Sequence, residues 1–134
     1  MFDLIKRNLL KSVLFADGIV SVTAGVAFLG FSGLIAKLIG PAFTADAILG
    51  LGAFLVLWGL YHLVLGGQAS IGGVRIAIAG DALWVLGSIA VLVADWDGLT
   101  SLGAAFITLT AVAVADIMLL KMKGLSDRRR LAAA

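Results

Sequence analysis

The sequence predicts an all-α fold, a bundle of four membrane-spanning helices with both termini in the cytoplasm. Of 134 residues, 62% are hydrophobic and only 13% are charged, whereas a soluble domain carries about 25% charged residues. The mean hydropathy is +1.15. A water-soluble fold of this length could not cover so much apolar surface, so we expect lipid to be the solvent for most of the chain.

Four apolar stretches are long enough to cross a bilayer, which takes about 20 residues per helix. They cover residues 12–31, 47–65, 76–94 and 99–120, and a basic cytoplasmic tail follows at 121–134. Because lipid offers no hydrogen-bond partners, each segment must pair its own backbone groups, and the sequence lacks the alternation of barrel strands. The chain is therefore predicted to form a single integral membrane domain.

Two short interfacial helices are predicted around the first span. Residues 1–11 place Phe2, Ile5 and Leu9 on one face and charged residues on the other, as expected of a helix lying among lipid headgroups. Residues 33–40 are almost wholly apolar and end abruptly at a Gly-Pro pair. They predict a second such helix, between spans one and two.

Lysine and arginine residues predict the orientation. Nine of the ten lie on one side of the predicted spans and only Lys37 lies on the other. The nine are Lys6, Arg7, Lys11, Arg75, Lys121, Lys123, Arg128, Arg129 and Arg130. The positive-inside rule therefore places both termini in the cytoplasm, and an even number of spans agrees. The last three arginines are also candidates for binding anionic lipid headgroups, at about 1 kcal/mol each.

Each predicted span contains one ionisable residue: Asp17, His62, Asp81 and Asp116. A rise of about 1.5 Å per residue puts all four at a similar depth, roughly 6–9 Å from the cytoplasmic ends of the spans. A charge within a span costs about 2.5–3.5 kcal/mol. We therefore expect these side chains to meet one another, water or a cation, in an intramembrane polar cluster.

Small and polar residues at helical spacing indicate which helix faces point inward, because small residues let membrane helices approach closely. The hydroxyls predicted to join the cluster are those of Ser21 and Ser88. The residues predicted to pack helices together are Gly25, Gly59, Trp58 and Trp84.

Three interpretations of the cluster stay open at this stage. The first is a structural network of hydrogen bonds that fixes the register of the helices. The second is a proton or cation site, in which neighbouring carboxylates lose their protons in separate steps and His62 titrates near neutrality. The third is a transition-metal site with three Asp oxygens and one His as ligands.

The sequence also excludes several kinds of chemistry. It contains no cysteine, which rules out disulfides, thiolate catalysis and iron–sulfur clusters, and its single histidine rules out bis-His haem within one chain. No phosphate loop, nucleophile elbow, zinc-protease pattern or nucleic-acid module is present. We therefore expect no cofactor, no nucleic-acid partner and no enzymatic activity.

Two segments resemble a bacterial family of small four-helix integral membrane proteins without assigned function. They are Leu14-Phe15-Ala16-Asp17, continuing through Ser21 to Gly25, and Asp81-Ala82-Leu83-Trp84-Val85-Leu86-Gly87-Ser88. Members carry a similar Ala-Asp…Ser…Gly stripe in helix one and Asn-x-x-Trp-Val-x-x-Ser in helix three. The resemblance implies the bacterial inner membrane and no particular substrate. Asp81 stands where relatives usually have Asn, which favours a hydrogen-bonded network over a required carboxylate.

Two functions follow as hypotheses. The first is a non-enzymatic accessory or assembly subunit, whose outer surface docks on another membrane protein or on a second copy of the chain. The alternative is a small transporter or channel-like protein, linked to protons or cations through the intramembrane cluster. Beyond the lipid bilayer, the sequence identifies no partner or substrate.

Overall fold

The computed structural model describes residues 2–68 and 70–133, with side chains described from residue 8 onward. Within those residues the fold is entirely helical. The elements are α1 (Phe2–Gly30), α2 (Ser32–Ile39), α3 (Ala45–Gln68), α4 (Ile71–Ala94), a 3-10 turn (Trp96–Gly98) and α5 (Ser101–Ala133). Four of the helices (α1 from Asn8, α3, α4 and α5) are long and apolar enough to cross a membrane. The all-α class is confirmed, and each predicted span lies within one of these four helices.

The structure differs from the sequence-based prediction at both ends of the chain. Residues 2–11 are not a separate helix but the first turns of α1, because no glycine or proline interrupts the helix there. Residues 121–133 continue α5, which reaches about 50 Å at 1.5 Å per residue. This stretch contains one glycine and several strong helix formers, so the basic tail is helical. Between spans one and two, α2 is a separate helix of eight residues.

The four long helices are arranged in the order α3, α1, α5, α4 around the bundle. Helix α1 packs along α3 and also against α5, and α5 packs against α4. Helices α3 and α4 follow one another in the chain but touch at few positions. The backbones of α3 and α4 therefore lie farther apart than those of the other neighbouring helices, and aromatic side chains of α3 fill part of the space between them.

Glycines bring α1 and α3 into close contact. A Cβ atom added to Gly59 would lie 2.7 Å from both the carbonyl oxygen of Gly18 and the backbone nitrogen of Val22. A Cβ on Gly25 would lie 2.7 Å from the carbonyl oxygen of Gly52. Small residues at these positions let the two backbones approach, as is common between membrane helices.

The N-terminal part of α1 and the C-terminal part of α5 pack together on one side of the bundle, where Leu10 contacts Gly124. We name this the terminal side. A group of buried apolar residues fills this side and is named the terminal-side layer. Its members are Leu10, Leu14, Leu65, Val74, Ala77 and Leu125, with Tyr61 and Ile78 packed against them.

Thr100 organises the opposite side of the bundle, here named the loop side. Its hydroxyl donates to the carbonyl of Leu38 at 2.5 Å, and its backbone N–H donates to the carbonyl of Ile39 at 2.8 Å. The N–H of Gly103 in turn donates to the Thr100 hydroxyl at 2.9 Å. One side chain therefore satisfies both the last carbonyls of α2 and the first turn of α5.

Candidate functional site

A buried lysine is at the centre of the intramembrane site. Lys121 is 0% exposed, and its Nζ lies 2.5 Å from Asp17 Oδ2, 2.6 Å from Asp81 Oδ2 and 2.8 Å from His62 Nε2. An ammonium group has three N–H donors, and each has an acceptor here. One nitrogen atom of α5 is thus hydrogen-bonded to side chains of α1, α3 and α4. We name Asp17, Ser21, His62, Asp81 and Lys121 the Lys121 cluster.

The hydrogen bonds of His62 define its tautomer. Nδ1 lies 2.8 Å from the carbonyl oxygen of Trp58, and because a carbonyl only accepts, Nδ1 carries the proton. Nε2 then has a free lone pair, which accepts from the ammonium of Lys121. Nε2 also lies 3.2 Å from Asp17 Oδ2, but these two atoms bond only if the ring gains a second proton. The imidazole in this arrangement is neutral.

Asp17 is positioned by its own helix as well as by Lys121. The hydroxyl of Ser21, one turn further along α1, donates to Asp17 Oδ1 at 3.2 Å. The other carboxylate oxygen accepts from Lys121. Asp17 is 8% exposed and Asp81 is 3% exposed, so both carboxylates lie in the interior of the bundle.

The formal charges of the Lys121 cluster do not balance. With both carboxylates ionised, Asp17 and Asp81 contribute −2, Lys121 contributes +1 and the neutral His62 contributes nothing, which leaves −1. An uncompensated buried charge costs several kcal/mol. A proton on one of its members, or a cation next to the carboxylates, would remove that net charge.

The same geometry bears on the predicted metal site. Ligand atoms of Asp17, His62 and Asp81 lie within 4.8 Å of one another, a grouping that could hold a metal ion. The Nζ atom of Lys121 is 2.5–2.8 Å from one ligand atom of each residue. The ammonium thus takes the central position that an ion would need, so a metal can bind there only if Lys121 withdraws.

Two predicted members lie outside the cluster. Asp116 is exposed on the outer surface of α5. It precedes Lys121 by five residues, about 140° around the helix, so it points outward when Lys121 points inward. Ser88 is seven residues beyond Asp81, about 10 Å along α4, and donates instead to the carbonyl of Trp84 at 2.8 Å.

The sequence-based prediction missed Lys121, which it assigned to the cytoplasmic tail one residue after span four. Two signals pointed to it. Three acidic residues within the predicted spans require a cation, and Lys121 is one of three basic residues that directly adjoin a predicted span, with Lys11 and Arg75. In addition, a helical side chain leans toward the N-terminus of its helix, so a long lysine at that position reaches back into the span.

Both carboxylates line a cavity of about 160 Å³ on the loop side of the cluster. Its walls are otherwise mainly apolar and aromatic. The lining residues are Asp17, Val20, Ser21, Ala24, Phe28, Phe54, Leu55, Trp58, Gly80, Asp81, Trp84, Phe106, Thr110, Ala113, Val114 and Ile117. A second cavity, of about 290 Å³, lies nearer the loop side and shares Phe28, Trp84, Phe106 and Thr110 with the first. Together they occupy the region where α3 and α4 separate.

The predicted packing residues Trp58 and Trp84 stand at this gap. The Trp58 ring packs against Gly80 of α4 and makes an edge contact with His62, with ring centroids 4.9 Å apart. Trp84 lines both cavities. Its indole Nε1 is buried and has no hydrogen-bond partner among the described residues.

The terminal-side layer closes the cluster in the opposite direction. Leu14 precedes Asp17 by one turn of α1, and Leu65 follows His62 by one turn of α3. Leu125 follows Lys121 by one turn of α5 and is 7% exposed. The cluster thus has a cavity on its loop side and a packed apolar layer on its terminal side.

Comparison with protein-family models, curated proteins and solved structures finds no match to this chain. Its function is therefore inferred from its own geometry.

Proposed function

We propose that this chain is a small, non-enzymatic membrane transporter that carries protons or cations across the bilayer by binding them at the Lys121 cluster. The observation that carries the proposal is the residual charge of −1, placed where Asp17 and Asp81 line a cavity. A purely structural network needs a third acceptor for Lys121 but no second negative charge, since Lys121, one aspartate and the neutral His62 are already balanced in charge.

The cluster also offers a physical link between protonation and movement. A second proton on His62 turns Nε2 from an acceptor into a donor, which repels the Lys121 ammonium and favours the Asp17 oxygen 3.2 Å away. A proton on either carboxylate weakens its bond to Lys121 in the same way. In the proposed mechanism, proton uptake loosens α5 from a neighbouring helix and lets the terminal-side layer open.

The orientation belongs to the same proposal. The excess of lysine and arginine on the terminal side makes that side cytoplasmic, and the family resemblance suggests the bacterial inner membrane. The cavity would then lie toward the outer face and the terminal-side layer toward the cytoplasm. This asymmetry is what an alternating-access site requires in one of its two states.

Proton movement into proteoliposomes tests the proposal. An entrapped pH dye reports internal acidification when a potassium diffusion potential, negative inside, is imposed. We expect wild type to acidify the lumen and Asp17→Asn and Asp81→Asn to lose this activity. Each variant keeps one carboxylate to balance Lys121, so it should fold. Asp116→Asn makes the same chemical change outside the cluster and should retain wild-type activity.

Two results would reject a transport role for the cluster. One is a wild-type rate equal to that of empty liposomes. The other is full activity in both Asp17→Asn and Asp81→Asn, which would leave the cluster with a structural role only.

A second candidate function, an accessory or assembly subunit, is favoured by one separate observation. Asp116 is exposed on α5 within a membrane-spanning stretch, where a charged side chain facing lipid costs about 2.5–3.5 kcal/mol at the bilayer centre. A donor group on another membrane protein, or on a second copy of this chain, would remove that cost.

Co-purification in mild detergent tests this function: the partner should be retained by wild type and lost by Asp116→Asn. A wild-type chain that always elutes as a lone monomer would contradict it.

A further inference from the structure

The cavity beside the Lys121 cluster suggests the class of molecule that it accepts. We propose that it binds a small organic monocation, an ammonium group on an apolar body of about six to ten non-hydrogen atoms. This inference rests on the proposed function and names the substrate class for the same site.

The charge of the site selects a monocation. Asp17 and Asp81 share one lysine, so the cavity end of the cluster has room for one further positive charge and no more. An ammonium group supplies that charge together with three N–H donors. A divalent metal ion would leave the cluster with net positive charge, and Lys121 Nζ already stands between the carboxylates.

The walls of the cavity select an organic cation over a small inorganic one. Apart from the polar residues of the cluster and Thr110, the lining consists of apolar, glycine and aromatic residues. Sodium or potassium would lose its hydration shell there without enough oxygen ligands to replace it. An apolar body gains from burial against the same walls.

The volume of the cavity indicates the size of the cation that it can hold. A dry cavity of about 150 Å³ holds one benzene molecule, and this cavity measures about 160 Å³. Drug-sized ligands need about 300–1,000 Å³. The cavity therefore matches a benzyl- or cyclohexyl-sized amine.

Binding of benzylamine to the purified protein tests the proposal, with benzyl alcohol as the neutral control of nearly equal shape. Calorimetry in two buffers of different ionisation enthalpy gives both the affinity and the number of protons released. We expect benzylammonium to bind and to release close to one proton, because it replaces the extra proton of the cluster. Benzyl alcohol should bind more than about tenfold more weakly, since it brings no charge to the buried carboxylates.

Four variants separate the contribution of the charge from that of the cavity shape. Asp81→Asn and Asp17→Asn should each weaken benzylammonium more than about tenfold, while Asp116→Asn should bind as wild type does. Ala24→Leu fills the cavity without touching the charged groups. It should abolish amine binding.

The outcomes distinguish this inference from the proposed function. Equal affinity of wild type for benzylamine and benzyl alcohol, or unchanged amine binding by Ala24→Leu, would overturn the substrate class even if proton movement is present. Amine binding as expected, with no proton movement in proteoliposomes, would instead overturn transport and leave a binding protein.

Discussion

At the scale of single residues, Lys121 determines how the membrane interior tolerates two carboxylates. Its ammonium is shared by Asp17, Asp81 and His62, which belong to three different helices. Removal of a partner from a buried ion pair is far more destabilising than removal of an exposed charge, because the remaining charge stays buried. The first of two predictions for Lys121 tests this contrast between a buried and an exposed charge.

Lys121→Met should lower the free energy of unfolding by about 3–5 kcal/mol, the usual cost of leaving a buried charge without its partner. The matched control is Lys123→Met, an exposed lysine two residues away on the same helix, which should change stability by no more than about 0.5 kcal/mol. Unfolding of both variants in the same detergent measures the difference. Similar stabilities would show that the cluster does not hold the bundle together.

Lys121→Ala should convert the site into a metal site. It removes the ammonium from between three potential ligands that lie within 4.8 Å of one another, and one imidazole with two carboxylates and water suits Zn²⁺. We expect Zn²⁺ to raise the melting temperature of Lys121→Ala and not that of wild type. Adding His62→Ala should remove the effect; a zinc response that survives this change would place the ion elsewhere.

The sequence allowed three of the four ionisable residues of the Lys121 cluster to be predicted, for a physical reason. Asp17, His62 and Asp81 lie well within apolar stretches, where an ionisable group stands out by its cost. Lys121 lies at the end of such a stretch, where lysine is ordinary. Asp116 lies outside the cluster because its angle around α5 relative to Lys121 points it outward.

At the scale of helices, the α1–α3 contact depends on the absence of side chains. Gly59→Ala would place a Cβ 2.7 Å from the Gly18 carbonyl oxygen, and the backbones must separate to accept it. We expect a loss of about 1–3 kcal/mol, typical of overpacking. Gly87→Ala in α4 has no atoms within 4 Å of the added Cβ, so it should be neutral or stabilise by up to about 1 kcal/mol.

Thermal unfolding in one detergent compares the two glycine variants. A neutral Gly59→Ala would mean that α1 and α3 are less closely packed than the structure shows.

The existence of the helices was predictable from the apolar stretches, and α3 begins close to its predicted start. The continuity of α1 and α5 was missed because hydropathy reports where a helix is apolar, and both helices extend into polar sequence without a residue that would end them.

At the scale of the whole molecule, the orientation is open to direct test because the chain contains no cysteine. Ser126 lies on the terminal side and Ser101 on the loop side, and both are exposed serines of α5. In intact cells, a membrane-impermeant maleimide should label Ser101→Cys and leave Ser126→Cys unlabelled until the membrane is permeabilised. The reverse pattern would contradict the orientation predicted from the basic residues.

Helix α5 joins the membrane interior to the basic end of the chain without a break. Lys121 and Arg129 are eight residues apart, about 12 Å along one rigid rod. Any rotation or tilt that withdraws the ammonium from its three acceptors must therefore swing the arginines by the same angle. A protein in the aqueous phase, with no access to the bilayer, could read the charge state of the buried site from the position of that end.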